Sequence, residues 1–183
     1  MRSVVPRRNV TSFPSLLGAA LHPLEVAGAR DRLEARFVER WGHRTAWATP
    51  SGRAGLSMLL QAARSRVAPR AYVPAFTIEA VPALVREAGY EVVFVDVDPE
   101  TLSLSPDDVR RVWQGPGLLL ATHYFGLPAD MDALLPVASS LGLDILEDCA
   151  HAPGGRVGDR AVGTFGLGGF FSFESRKPLN GLG

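Results

Sequence analysis

Apolar positions in this chain recur with two periods, and the periods take turns along it. Leu33, Phe37 and Trp41 are spaced four apart, which predicts a helix over about 26–41. A short strand is expected at 45–49, then a turn at Pro50-Ser51-Gly52. Residues 53–64 read as a helix apolar nearly all round, hence expected to be buried. A strand at 71–74 precedes a helix near 79–88, where Val81, Leu84, Val85 and Ala88 fall on one face. Continuous apolar runs at 91–96 and 118–121 predict strands buried on both sides. Between them, Ser105-Pro106-Asp107-Asp108 has the form of a capping box with proline at the first helical position. Met131, Leu134, Leu135 and Ala138 mark a helix over 130–141, and 143–147 is another strand. Glycine-rich 155–169 suggests a hairpin around Gly158-Asp159, followed by a last strand at 169–173.

Strands that alternate with helices imply parallel pairing and helices on both faces of one sheet. The expected fold is therefore α/β: three layers around a mostly parallel sheet. An arm is expected over 1–25, rich in proline, with a single large domain over 26–183. There is no internal repeat, low-complexity tract or obvious interdomain linker.

Composition narrows the function classes. Hydrophobic residues make up 46% and charged residues 21%, the balance of a globular domain. Nineteen acidic and nineteen basic residues cancel, so charge gives no case for nucleic acid or an anionic membrane. No run is long enough to span a bilayer. Arg2, Arg7 and Arg8 precede an apolar stretch, but Pro14, Ser15 and Gly18 interrupt it, so no signal peptide is expected. Cys149 is the only cysteine, which excludes an intrachain disulfide and fits a reducing cytoplasm.

Lys177 is the only lysine among nineteen Lys+Arg. Guanidinium stays protonated, whereas an ammonium can lose its proton and act as a nucleophile. Schiff-base formation with an aldehyde cofactor is the leading role for such a lysine, and an ordinary surface lysine is the alternative. Three neighbourhoods bear on the choice. Ser51-Gly52-Arg53, between a strand and a helix, could offer N–H groups and a hydroxyl to phosphate, or be a common turn. Glu147-Asp148-Cys149-Ala150-His151 follows an apolar strand. There a carboxylate could hold a heterocyclic N–H, as pyridoxal phosphate requires, or merely cap a helix. Ser172 and Lys177 place a hydroxyl and an amine a few residues apart, or form a polar loop. Together they supply a phosphate cradle, a ring-nitrogen acid and an aldehyde amine, with no metal called for.

At this point the chain resembles the DegT/DnrJ/EryC1/StrS family of sugar aminotransferases, pyridoxal-phosphate enzymes of fold type I. The resemblance runs from about Arg32 to the last residue. It is carried by Ser51-Gly52-Arg53-Ala54-Gly55-Leu56, Val73-Pro74-Ala75-Phe76-Thr77 and the stretch from Phe94 to Leu102. It continues through His123-Tyr124-Phe125-Gly126-Leu127-Pro128-Ala129-Asp130-Met131-Asp132, Glu147 to Ala152, Val162-Gly163-Thr164-Phe165-Gly166, and Phe171-Ser172-Phe173 through Lys177-Pro178-Leu179-Asn180. The resemblance implies that Lys177 holds the cofactor as a Schiff base and shuttles the proton. It implies that Asp148 keeps the pyridinium nitrogen protonated and that His151 sits near the phenolic oxygen. Ser51, Gly52 and Ser172 would bind the phosphate.

There are three departures. Ile78 stands where the family often has an aromatic ring stacked on the cofactor. Arg53 replaces a small polar residue of the phosphate loop. The chain stops at Gly183, where family members continue for about as long again. Such a half would lack the small C-terminal domain. It would leave an unpaired sheet edge and exposed apolar helix faces, and would need a second chain or a homodimer partner. The resemblance implies an aminotransferase that moves an amino group from an amino acid such as glutamate to a keto sugar nucleotide. The alternatives are a pyridoxal-phosphate sugar dehydratase on the same fold and a non-catalytic remnant or interaction module.

Overall fold

The structure is a computed structural model and describes residues 28–174. The arm expected over 1–25 and the stretch 175–183, with Lys177, lie outside the described residues.

Helix α1 (Ala29–Trp41) ends at Gly42, whose backbone is left-handed at φ 73°. Its aromatic stripe packs Phe37 on Trp41 at 4.1 Å and on Phe171 at 4.8 Å between ring centroids. None of its residues is fully buried, and Leu33 remains 48% exposed. The strand expected at 45–49 does not form. Among the described residues that segment pairs with no strand, and its Ala48 N–H donates instead to Glu34 Oε1 on α1 at 2.7 Å.

Helix α2 (Gly52–Ala63) starts where Ser51 Oγ accepts from Ala54 N–H at 3.1 Å. Such a cap is worth about 1 kcal/mol. Contrary to the sequence reading, α2 is buried on one face only, through Leu56, Leu60 and Ala63. A helix in an outer layer is covered from the sheet side alone. The apolar residues Met58, Leu59 and Ala62 line an open groove shared with α1 and with Gly168–Phe170.

The main sheet contains β1 (Arg70–Pro74), β2 (Glu91–Val95), β3 (Gly117–Thr122), β4 (Leu143–Asp148) and β7 (Gly168–Phe170). Their order is β2-β1-β3-β4-β7 and every pairing is parallel. The predicted hairpin forms, with β5 (Arg156–Val157) antiparallel to β6 (Arg160–Ala161). Helices α3 (Ala80–Glu87), α4 (Pro106–Val112) and α5 (Met131–Ser140) complete the described elements.

Alternation along the strands builds two cores. Ala71, Val73, Leu118, Leu120, Leu146 and Phe170 face α2 and α3, meeting Leu56, Leu60, Val81 and Val85. Tyr72, Leu119, Ala121 and Ile145 face α4 and α5, meeting Val109, Met131, Leu134 and Val137. Leu118, Leu119 and Leu120 are at most 1% exposed, and each contributes roughly 1.5–3 kcal/mol by leaving water. The three expected layers are thus present. Strand β2 differs from expectation: it is the sheet edge, and its Phe94 is 46% exposed beneath the Arg86 guanidinium. The capping box is half formed. Ser105 Oγ accepts from Asp108 N–H at 3.2 Å, but the Asp108 carboxylate turns to Asp96 N–H at 2.7 Å and to Arg111.

Candidate active site

Strand β1 leads to β2 on one side of the sheet, and the chain then crosses to β3 on the other side of β1. The order of a parallel sheet reverses there, and ligands bind outside the carboxyl ends of strands at such a switch. Period two then decides which residues share a face. Thr122 follows Leu118 and Leu120 on the α2/α3 face, and Asp148 follows Leu146 on the same face. The two are register partners across β3 and β4, and Asp148 is in turn the register partner of Phe170.

On that side the N-terminus of α2 meets the end of β7. A Cβ built on Gly52 would lie 3.1 Å from Ser172 Cβ and 3.4 Å from its Oγ. A side chain at position 52 would make Ser172 give way by a few tenths of an ångström. Ser51, Gly52 and Ser172 are therefore one cluster of hydroxyls and N–H groups at a helix N-terminus, suited to a phosphate. Arg53 is exposed on the outer turn.

Asp148 is 8% exposed, and its Oδ1 accepts from Ala150 N–H at 3.0 Å. His151, half-buried, lies 5.9 Å from the Phe125 ring, centroid to centroid. Phe125 is a non-glycine residue at φ 52°, a conformation that costs on the order of 1–3 kcal/mol and clusters at functional sites. Ile78 is 63% exposed ahead of α3, and its carbonyl accepts from Val81 N–H at 3.0 Å. The structure thus brings Ser51, Gly52 and Ser172 together and sets Asp148 at the end of β4 with His151 just beyond. Ile78 and Arg53 stand solvent-exposed.

Three features were not singled out from the sequence. The first is Thr122, 7% exposed, whose Oγ1 has no hydrogen-bond partner among the described residues. The second is Tyr124, whose hydroxyl donates to the Phe76 carbonyl across the switch. Burial, with the Asp148 carboxylate adding to it and Thr122 working against it, pushes this phenol up to about 12. The third lies on the opposite sheet face. Glu147, wholly buried, accepts from His123 Nε2 at 3.1 Å and from the Gly163 and Phe165 N–H groups at 2.6 Å each. His123 Nδ1 accepts from Ala129 N–H at 2.9 Å, which places the ring proton on Nε2. A carboxylate ending an otherwise apolar strand was the available signal for this network.

His123, Glu147 and Cys149 offer ligand atoms within 4.8 Å of one another. The donor set does not suit a metal ion. Both ring nitrogens of His123 are engaged, and burial, with Glu147 and Asp148, pushes the Cys149 thiol well up. Metal binding needs a free imidazole lone pair and a thiolate.

The residues present fit pyridoxal phosphate. Gly52 and Ser172 form a cradle that a Cβ would crowd, and Thr122 is an orphaned buried hydroxyl that is the register partner of Asp148.

Known proteins bear on the same question. The chain is 37% identical over 132 residues to L-glutamine:2-deoxy-scyllo-inosose aminotransferase of Micromonospora echinospora, covering 72% of this chain and 31% of that protein. It is 34% identical to UDP-N-acetyl-3-dehydro-alpha-D-glucosamine 3-aminotransferase of Acidithiobacillus ferrooxidans, covering 73% of this chain and 36% of that one. The crystal structure of DesI with its TDP-sugar product superposes with a TM-score of 0.81 at 30% identity, over 96% of this chain and 46% of the other. The aminotransferase of Psychrobacter cryohalolentis gives a TM-score of 0.84 at 26% identity, over 93% and 45%. The chain therefore spans about a third of these curated relatives and somewhat under half of the solved structures. No described helix is long and apolar enough to cross a membrane. The family profile matches residues 25–183, and the chain belongs to the DegT/DnrJ/EryC1/StrS aminotransferase family.

Proposed function

We propose that this chain is the cofactor-binding part of a pyridoxal-phosphate aminotransferase. It moves an amino group from an amino acid, glutamate or glutamine, to a ketone on a nucleotide-linked sugar. The observation that carries this reading is the close approach of Gly52 to Ser172 on the sheet face that also holds Asp148. The names of the relatives, which include a UDP-sugar aminotransferase, support the substrate class. L-glutamine in the name of the Micromonospora relative supports the donor.

Bound pyridoxal phosphate supplies an electron sink for charge that develops when a proton leaves the carbon beside the substrate nitrogen. The chain's own residues do the rest. Ser51, Gly52 and Ser172 would hold the phosphate, and Arg53 would add long-range positive charge. Asp148 would hold a proton at the ring nitrogen. His151 would orient the phenolic oxygen, and Ile78 would pack against the ring without the stacking energy of an aromatic residue. Lys177 Nζ would carry the cofactor and move the proton. Lysine at 177 favours transamination over the dehydratase alternative.

Residues 26–183 would form the large domain, preceded by an arm. The site would be completed by a second polypeptide or by a homodimer partner, in the cytoplasm. The test supplies the chain with pyridoxal phosphate, glutamate and a keto sugar nucleotide, and follows the amino sugar by mass spectrometry. Its formation by the wild type and not by Lys177→Arg supports the reading. Cofactor binding without any amino sugar would favour a remnant that has lost turnover.

A further inference from the structure

We infer that the half-exposed ring of Phe125 is a sugar-binding surface: it takes the C–H face of the substrate's hexose ring. This deepens the sugar-nucleotide reading above and rests on it.

Phe125 stands in a conformation that its side chain does not favour. Leu127 N–H donates to the Tyr124 carbonyl at 2.7 Å and closes a tight turn. The two residues inside the turn, Phe125 and Gly126, both have left-handed backbones, at φ 52° and φ 85°. Glycine suits the second place, but asparagine, aspartate or glycine is preferred at the first, where a bulky residue is an outlier. Burial does not offset the strain, since Phe125 remains 51% exposed. Turn stability therefore does not account for a phenylalanine here, and strain of this kind gathers at ligand-binding sites.

The ring has fixed neighbours. It lies 6.1 Å from the Tyr124 ring and 6.4 Å from the Phe76 ring, centroid to centroid. The Tyr124 hydroxyl donates to the Phe76 carbonyl, which ties the turn to the segment after β1. Phe76 is also 51% exposed, and its ring is inclined at 49° to that of Phe125. The two rings are thus adjoining, tilted faces and not the parallel walls of a slot for a flat base.

Position selects the sugar. Phe125 lies 5.9 Å from the His151 ring, and a Cβ built on Gly126 would lie 3.9 Å from the His151 carbonyl oxygen. His151 is the residue proposed for the phenolic oxygen. In pyridoxal phosphate that oxygen is on the ring carbon next to the one that bears the aldehyde. The substrate's ketone must reach that side of the cofactor, and the ketone is on the hexose, with the base beyond the diphosphate. The C–H groups of a hexose carry slight positive charge, which the negative face of an aromatic ring attracts. Aromatic walls of this kind are common in small-molecule sites.

The test uses the whole 183-residue chain loaded with pyridoxal phosphate. Calorimetric titration reads the affinities for UDP-N-acetylglucosamine and for UDP alone. Phe125→Asn should weaken binding of the sugar nucleotide about tenfold and leave that of UDP and of pyridoxal phosphate unchanged. Its melting temperature should be unchanged or raised, because asparagine suits the turn. Phe125→Tyr should keep the wild-type affinities. Equal losses for UDP and the sugar nucleotide would overturn the inference by giving the ring to the nucleotide. A loss of pyridoxal phosphate affinity would give it to the cofactor, and a lower melting temperature with unchanged affinities would make it structural; either overturns the inference. If Phe125→Asn does not fold, wild-type affinity for the sugar nucleotide in Phe125→Leu, which keeps bulk without a π face, would do the same. A loaded wild type that binds the sugar nucleotide no more tightly than UDP would overturn this inference alone. A wild type that binds no pyridoxal phosphate would overturn the cofactor reading, and this inference with it.

Discussion

Gly52 and Ser172 touch across the gap between the start of α2 and the end of β7: a Cβ on Gly52 would stand 3.1 Å from Ser172 Cβ. In the proposed function, this contact sets the width of the phosphate cradle. In Gly52→Ala, Ser172 must give way by a few tenths of an ångström, while α2 gains helix propensity of up to about 1 kcal/mol. The expected result is a chain as stable as the wild type that binds pyridoxal phosphate roughly tenfold more weakly, a loss of ~1.4 kcal/mol. Calorimetric melting beside a cofactor titration checks it. Undiminished affinity would mean that the phosphate lies elsewhere.

Glu147 holds the loop after the hairpin to the sheet. Gly163, at φ 85°, presents its N–H to the carboxylate and brings Phe171 against the glycine face. Glu147→Ala would strand three donors in a dry interior, His123 Nε2–H and the N–H groups of Gly163 and Phe165. Removing one partner of a buried, hydrogen-bonded charge costs about 3–5 kcal/mol. Denaturant unfolding should show a loss of that order, against much less for Glu147→Gln, which keeps an acceptor oxygen.

Asp108 gives the chain a dependence on acid. Burial pushes its carboxyl up, but the Asp96 N–H and the Arg111 guanidinium outweigh this and hold it below the usual range. A depressed carboxyl stabilises the fold above its unfolded pKa of about 3.9, and the contribution is lost as pH falls through the folded value. Asp108→Asn should therefore be less stable than the wild type at neutral pH. The difference should shrink once the pH drops below about 4. A pH series of melting curves for both proteins checks this.

Much of the fold was legible because buried parallel strands and amphipathic helices have different periods. Val81 and Val85 of α3, and Met131, Leu134 and Ala138 of α5, are buried as the spacing predicts. What failed was the distinction between centre and edge. EVVFV and LLLA are equally apolar, yet β3 is covered on both sides while β2 leaves Phe94 exposed. Strand order decides that, and local sequence does not encode it. The absent strand at 45–49 is the same problem, since a strand needs a neighbour that its own residues cannot specify. Gly52, Asp148 and Ser172 could be proposed because their chemistry is distinctive. Thr122 could not, because a threonine ending an apolar strand is ordinary until its register with Asp148 is known.

Ile78 tests the ring's position. It is 63% exposed at the end of the β1 side of the switch. Replacing it with tyrosine should restore a stacking surface worth about 0.5–1.5 kcal/mol. Cofactor affinity in Ile78→Tyr should rise by several-fold, and an unchanged affinity in a folded variant would place the ring away from this residue.

Lys177 as the cofactor's amine is the central claim, and reduction with borohydride in the presence of pyridoxal phosphate tests it most directly. The chain has one lysine, so apart from the N-terminal amine only one position can be labelled. Peptide mass spectrometry should find the phosphopyridoxyl group on Lys177 in the wild type and on no internal residue in Lys177→Arg. A folded wild-type chain that carries no label at Lys177 would contradict the account.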